Sequence, residues 1–458
     1  MLESDQSLRW TVEAGKRHIW HPLLQHSVLE RQDPLVIKRA HGAYVVDADG
    51  REYLDAMSGL FCVNIGYGRK EVAEAVYRQM LELPYYPLTQ LHEAAVRLTT
   101  LIAPLLPQGL DRFFFTNSGS EAVETALKIA RQAARQRHVG ENRYKIISRY
   151  RAYHGFTMGA LSATGQPIRR AAFEPLVPGF LHVPPPDRFR CSWCAGQNAC
   201  TLACADEFEH TIVREGPTTV AAVIAEPVIG GGGIFVPHEE YFPRLRKICD
   251  QYGVLLILDE VITGFGRLGT PFGCQAFGVV PDMITVAKGI TSAYAPLGAC
   301  IAARHVFDAF YGKPGEGREL AQVSTFGGHP VACAAGVANM EILTTERLWE
   351  NARTVGGRLL EALMPLRGRP GVGDVRGKGL LLGIELVGPD GRTPADEARM
   401  AAVLGKLRAN GILAGRNSYT VGGFNNVLIL APPLILTQDE ADHLASAVAI
   451  ALRETAAS

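Results

Sequence analysis

Two short runs of the chain carry a carboxylate and an amine in settings where neither is cheap to place. Leu255-Leu256-Ile257-Leu258 is wholly apolar and ends in Asp259-Glu260. Ile284-Thr285-Val286-Ala287 leads into Lys288, which is followed by Gly289 and Ile290. A carboxylate closing an apolar strand is costly unless a cation or hydrogen-bond donors meet it. A protonated pyridine nitrogen is one such partner; a helix cap or an ion pair with Arg267 is the plainer alternative. A lysine in apolar surroundings has a lowered pKa and becomes nucleophilic; the plainer alternative is a lysine snorkelling from a strand end. Taken together, a carboxylate that keeps a pyridine ring protonated and an amine that forms a Schiff base and shuttles protons are what a pyridoxal phosphate enzyme needs.

Other residues fit that chemistry. Ser118, Gly119 and Ser120, in Thr116-Asn117-Ser118-Gly119-Ser120-Glu121, follow an apolar strand and open a helix. Free N–H groups and the helix dipole there favour a phosphate, although a serine capping Glu121 explains the same residues. Tyr153-His154-Gly155 offers an aromatic to stack on a planar ring. Glu226-Pro227 ends another apolar run. Ser324-Thr325-Phe326-Gly327-Gly328 precedes a helix and offers a second phosphate contact, and Arg416 offers a guanidinium to an anionic substrate.

These positions make sense only if strands and helices alternate. Apolar strands are expected at residues 112–116, 145–148, 220–225, 254–258, 283–287 and 299–302, separated mostly by helical stretches. That pattern predicts an α/β fold with a mostly parallel sheet covered on both faces, which places ligands at the carboxyl ends of the strands. A helix near residues 7–19, a hairpin over 44–55 turning at Asp49-Gly50 and an amphipathic helix over 71–83 precede the sheet. Residues 312–317 read as an exposed loop and 330–343 as a long helix. A smaller α+β unit follows residue 345. The expected division is an N-terminal arm and hairpin over 1–60, a large cofactor-binding domain over 61–330 and a small domain over 331–458.

Composition narrows the class. The chain has 458 residues, of which 47% are hydrophobic and 20% charged, and its formal net charge is zero. Nothing in that balance points to nucleic acid, and no apolar run is long enough to span a bilayer. The acidic start, without an apolar signal region, gives a cytoplasmic expectation. Of nine cysteines, Cys62, Cys249, Cys274, Cys300 and Cys333 sit in apolar settings and are expected to be buried thiols. The other four cluster as Cys191-x2-Cys194-x5-Cys200-x3-Cys204. A structural zinc site is one reading of that spacing. Unconnected thiols or a redox-sensitive pair is the other and is preferred, because the second pair is spaced by three and its flanks look helical, so no metal is expected.

With these residues in place, the chain resembles the class III aminotransferases of fold type I, pyridoxal phosphate enzymes, from His18-Ile19-Trp20-His21-Pro22 to Ala431-Pro432-Pro433-Leu434. The run Leu258-Asp259-Glu260-Val261-Ile262-Thr263-Gly264-Phe265-Gly266-Arg267 with Lys288 downstream is the specific part. The resemblance implies that Lys288 is the Schiff-base lysine and Asp259 the partner of the ring nitrogen. It implies that Ser118, Gly119 and Ser120 bind the phosphate, with Thr325 reaching it from a second subunit. Tyr153 is then a stacking residue with His154 beside it, Val261 packs the opposite ring face and Glu226 lies near the site. Residues 59–68 and 82–86 look like the ω-amine–pyruvate aminotransferases, with Phe61, Tyr85, Tyr86 and Leu88 lining the substrate pocket. Residues 415–418, 423–426 and 324–328 look more like the taurine–pyruvate aminotransferases. The implied partners are a small amine donor and a keto acid acceptor, in a homodimer or a dimer of dimers with shared sites. An aminomutase, a decarboxylase or a non-catalytic member of the same fold are the competing readings.

Overall fold

A computed structural model of the chain describes residues 2–194 and 199–455. The helix Leu2–His18 opens the chain, and three strands follow: β1 (Ile37–His41), β2 (Tyr44–Asp47) and β3 (Glu52–Asp55). β2 and β3 are the expected hairpin, with Gly50 at φ 82° in the turn, a conformation that suits glycine. β1, exposed at four of its five positions, lacks the buried apolar residues that mark β2 and β3 and was not foreseen.

The large sheet contains β4 (Leu110–Thr116), β5 (Lys145–Arg149), β6 (Phe180–Val183), β7 (Val220–Ala225), β8 (Leu255–Asp259), β9 (Met283–Val286) and β10 (Gly298–Ala303). They lie in the order β4-β10-β9-β8-β7-β5-β6. β5 to β9 run parallel, and β10 is inserted antiparallel between β4 and β9. The six expected strands are all present; β6, four residues long and broken by His182, was missed.

Period-two packing explains the apolar runs. Ala222, Ile224, Ile257 and Met283 face the helix Gly119–Arg137 through Val123, Ala126 and Ala130. Val223, Leu256, Leu258 and Ile284 face the other way, towards Phe208, Phe242 and Leu245. With both faces covered, β7, β8 and β9 have no solvent side and every residue in them is buried. Each large side chain so buried contributes about 1.5–3 kcal/mol.

The helix Pro330–Thr345 packs on the helices Lys70–Glu82 and Glu93–Ile102. Beyond it come β11 (Val372–Gly377), β12 (Leu382–Leu386), β13 (Ile412–Leu413), β14 (Gly415–Arg416) and β15 (Val427–Leu430). Four of these form a sheet in the order β11-β12-β15-β14, and β13 instead pairs in parallel with β3. The N-terminal hairpin and a strand from the end of the chain therefore share one sheet.

Four of the five scattered cysteines are buried as expected, but Cys62 is half-buried. It follows a turn in which Gly59 and Phe61 both have positive φ, and that irregular backbone leaves it short of the core.

Candidate active site

Register brings the carboxylate and the amine together. β8 and β9 pair so that Asp259 lies opposite Thr285, three residues before Lys288. Asp259 is 4% exposed, and three donors hold it. His154 Nδ1 donates to Oδ2 at 2.8 Å, while Thr285 Oγ1 and the Val261 N–H donate to Oδ1 at 3.0 and 3.2 Å. Arg267 is not its partner. That guanidinium is fully buried elsewhere, donating to the Leu380 carbonyl at 3.1 Å, Asn64 Oδ1 at 2.8 Å, Ser58 Oγ at 3.2 Å and the Pro432 carbonyl at 2.5 Å.

Lys288 stands in a tight turn at φ 46°, a left-handed conformation costing a side-chain-bearing residue about 1–3 kcal/mol. Asn339, fully buried on the helix Pro330–Thr345, overcomes that cost. Its amide donates to the carbonyls of Gly289 and Ile290 at 2.9 and 3.0 Å, and its oxygen accepts from Ser292 Oγ at 2.6 Å. Gly289 has no room for a side chain, because a Cβ there would come within 2.5 Å of the Asn64 amide. The Lys288 amine has no hydrogen bond or ion pair among the described residues, so a covalent or ionic partner displaces nothing.

The helix Gly119–Arg137 presents its N-terminus to the same strand ends. Ser118 is its cap, accepting from the Glu121 N–H at 3.3 Å, so the capping alternative holds for that side chain. The N–H groups of Gly119 and Ser120 still have no partner within the helix, so cap and anion site coexist. A Cβ on Gly119 would lie 3.0 Å from both methyls of Val261, so the turn after β8 passes directly against this terminus. Ser120 Oγ accepts from the Phe156 N–H at 3.2 Å and ties down the loop that carries Tyr153 and His154.

Glu226 is buried and accepts from the N–H groups of Tyr153 at 3.1 Å and Gly230 at 2.9 Å. Burial pushes its carboxyl above the usual range, against the pull of His154. Burial likewise raises Glu260, which accepts from the N–H groups of Gly273 and Cys274 at 2.9 and 2.6 Å and shapes the chain rather than the site. The ring of Tyr153 carries Arg169 on one face, with the guanidinium carbon 5.2 Å from the centroid.

Other expected residues lie differently. Arg416 pairs with Glu397 rather than pointing freely at the strand ends. A Cβ on its neighbour Gly415 would meet Met57 Sδ, so this strand abuts the turn containing Phe61. Tyr85 donates to the Thr325 carbonyl at 2.7 Å and packs on Phe326 and His329. Leu88 covers Gly328, and Tyr86 is exposed. These residues form a patch around the Thr325 turn. Thr325 itself is exposed, while Ser324 accepts from the Asn117 amide at 3.1 Å. Among the described residues no three His, Cys, Asp or Glu side chains are arranged to hold a metal ion.

Sequence reading missed Thr285, Asn339, Arg169 and Glu397. Each lies far along the chain from the group it touches, with nothing local to mark it. Only Thr285 had a signal: the single hydroxyl in an apolar strand next to the one ending in Asp259.

The class-III aminotransferase model matches residues 27–452. The chain belongs to the class III aminotransferases. It is 48% identical over 448 residues to the uncharacterized aminotransferase YhxA of Bacillus subtilis, covering 98% of this chain and 97% of that one. It is 40% identical over 443 residues to the taurine–pyruvate aminotransferase of Bilophila wadsworthia, covering 95% of each. A solved amine transaminase from an uncultivated Pseudomonas species, in its pyridoxal phosphate-bound form, superposes with a TM-score of 0.90 at 38% identity, covering 95% of this chain and 98% of that one. Class III aminotransferases use pyridoxal phosphate, and the fold here is that of their fold type I. The residues present suit that group: an unpartnered lysine amine, an anchored buried carboxylate, free N–H groups at a helix start, and an unpaired buried His154 Nε2.

Proposed function

We propose that this aminotransferase moves an amino group from an ω-amino acid or primary amine, such as taurine or β-alanine, to pyruvate, giving alanine and an aldehyde or ketone. The carrying observation is the pairing of Asp259 and the unpartnered Lys288 at adjacent strand ends; the 40% identity to a taurine–pyruvate enzyme supports the substrate class.

Bound pyridoxal phosphate would supply an electron sink for the charge that develops at the substrate carbon. The protein does the rest. Asp259, held by His154, Thr285 and the Val261 N–H, would meet the ring nitrogen and hold its proton. Lys288 Nζ would hold the cofactor covalently and, once freed, serve as the base that moves a proton at the substrate carbon. The Gly119 and Ser120 N–H groups, with Ser118, would hold the phosphate, and Thr325 would complete that site from a second subunit. Tyr153 and Val261 would pack against the ring, with Glu226 fixing the Tyr153 backbone. Phe61, Tyr85, Tyr86 and Leu88 would bound the substrate pocket. Arg416 leaves Glu397 to clasp the carboxylate of pyruvate or the anionic end of an ω-amino acid, and returns to Glu397 when an uncharged amine is bound.

The same reading takes residues 1–60 as an arm packing with a small domain over 331–458, around a cofactor domain over 61–330, and the enzyme as a cytoplasmic homodimer. The test is a half-reaction without keto acid, following the visible band of the lysine-linked cofactor. Loss of the band with taurine or β-alanine, and alanine formation once pyruvate is added, are expected. An amine that bleaches the band without ever yielding alanine from pyruvate would turn the assignment to a mutase or decarboxylase.

A further inference from the structure

The cysteine-rich turn has no part in amino transfer, yet it is built unlike the other thiols of the chain. Cys249, Cys300 and Cys333 are buried, and burial pushes each thiol to about 12, which keeps them inert. Cys191, Cys194 and Cys200 are half-buried, within reach of solvent. Cys191 and Cys194 flank the turn residues Ser192 and Trp193, and the Cys194 S–H donates to Cys191 Sγ at 3.1 Å. All four of Cys191, Cys194, Cys200 and Cys204 line one small cavity, about 10 Å³ in volume, with Leu202 and Tyr241.

Two readings of such a cluster differ in geometry. Thiolates on one tetrahedral zinc, with bonds of about 2.3 Å, stand roughly 3.8 Å apart. The 3.1 Å between Cys191 and Cys194 is shorter than that. A disulfide needs about 2.05 Å, so closing the bond asks roughly 1 Å of a turn outside any helix or strand.

We propose that Cys191 and Cys194 form a redox-active dithiol, a modification site that small-molecule disulfides oxidise to an intramolecular disulfide and small thiols reduce again. The Cys191 thiolate attacks one sulfur of glutathione disulfide. A protein–glutathione bond forms, the glutathione S–S bond breaks, and one glutathione leaves with a proton. The Cys194 thiolate then attacks the Cys191 sulfur and expels the second glutathione, which takes the Cys194 proton. Two protein thiols lose two electrons and two protons, and one small disulfide becomes two thiols. The hydrogen bond to Cys191 is the main reason the Cys194 thiol sits up at about 11. That restraint ends once Cys191 is in the mixed disulfide, so the order of attack is built into the pair.

The experiment uses the full-length holoenzyme, reduced, desalted and exposed to glutathione disulfide. Remaining thiols are blocked with N-ethylmaleimide, and the protein is digested with trypsin. The peptide spanning 191–214 carries all four clustered cysteines. It is expected two hydrogens lighter, with Cys200 and Cys204 alkylated and the bond between Cys191 and Cys194. In Cys194→Ser the first step has no second, so a stable glutathione adduct on Cys191 is expected. Four alkylated thiols in the wild type, a bond running through Cys200 or Cys204, or stoichiometric zinc protecting all four would overturn the proposal.

Discussion

On the proposed reading, Glu397 competes with the substrate for Arg416. The pair is half-exposed, with the glutamate side chain 61% accessible, so its attraction is worth about 0.2–1 kcal/mol rather than a buried pair's several. That is strong enough to hold an idle arginine and weak enough for a bound carboxylate to win. Glu397→Gln is therefore expected to lower KM for pyruvate by about 2–5-fold and leave KM for an uncharged amine unchanged. Steady-state kinetics with both substrates would decide it, and an equal change in both constants would show that Glu397 acts on structure alone. Lys288 is simpler, since among the described residues no other lysine follows closely on the end of a strand of the large sheet. Lys288→Ala is expected to cut turnover by at least about 1,000-fold and to remove the visible band of the lysine-linked cofactor. A variant that kept both would sink the site.

At the scale of elements, Arg267 is a clamp. Its fork joins the turn after β8 to the carbonyls of Leu380 and Pro432 and to Ser58 and Asn64. Arg267→Ala strands these acceptors in the interior and is expected to cost about 3 kcal/mol or more, read as a lower denaturant midpoint. Arg267→Lys should restore little, because an ammonium cannot span the fork. The edge strand β6 carries a pH-sensitive group. Burial, with Arg170 beside it, pushes His182 down to about 4. The folded state thus holds it neutral while the unfolded chain protonates it near 6.5. Its contribution is complete above about pH 6.5 and is lost as pH falls towards 4, by roughly 3–4 kcal/mol at most. Thermal unfolding of His182→Gln between pH 7 and pH 4.5 should show a shallower loss than the wild type, and parallel curves would rule this out.

The molecule as a whole presents large apolar side chains that one chain leaves uncovered. Trp20 is 89% exposed, Leu91 85%, Val323 71% and Phe326 58%, the last two flanking Thr325. A surface of that kind points to a second copy of the chain. Sedimentation at micromolar concentration is expected to give a dimer or a tetramer. Thr325→Ala is expected to weaken retention of pyridoxal phosphate without dissociating the assembly. A monomer with full cofactor content would refute the shared site.

How much of this was legible beforehand differs by scale. The placement of Asp259, Lys288 and the Ser118–Ser120 turn at neighbouring strand and helix ends could be read from the sequence because each is fixed by its own element. An apolar run of five, followed by a charge, allows few other structures. The parallel sheet was legible for the same reason: β7, β8 and β9 are apolar on both faces, which only a doubly covered sheet requires. The antiparallel β10, the four-residue β6 and the sheet that joins β3 to β13 depend on which strands meet, and pairing leaves no mark in either partner. The same holds for His154 and Thr285 on Asp259, Asn339 under the Lys288 turn, and Glu397 on Arg416. These contacts bridge 26 to 105 positions along the chain or cross between separate elements. The sequence by itself determined the chemistry and the layer architecture, because both follow from local composition. The tertiary structure alone decided which polar groups hold the reactive ones in place, because long-range hydrogen bonds are chosen by packing.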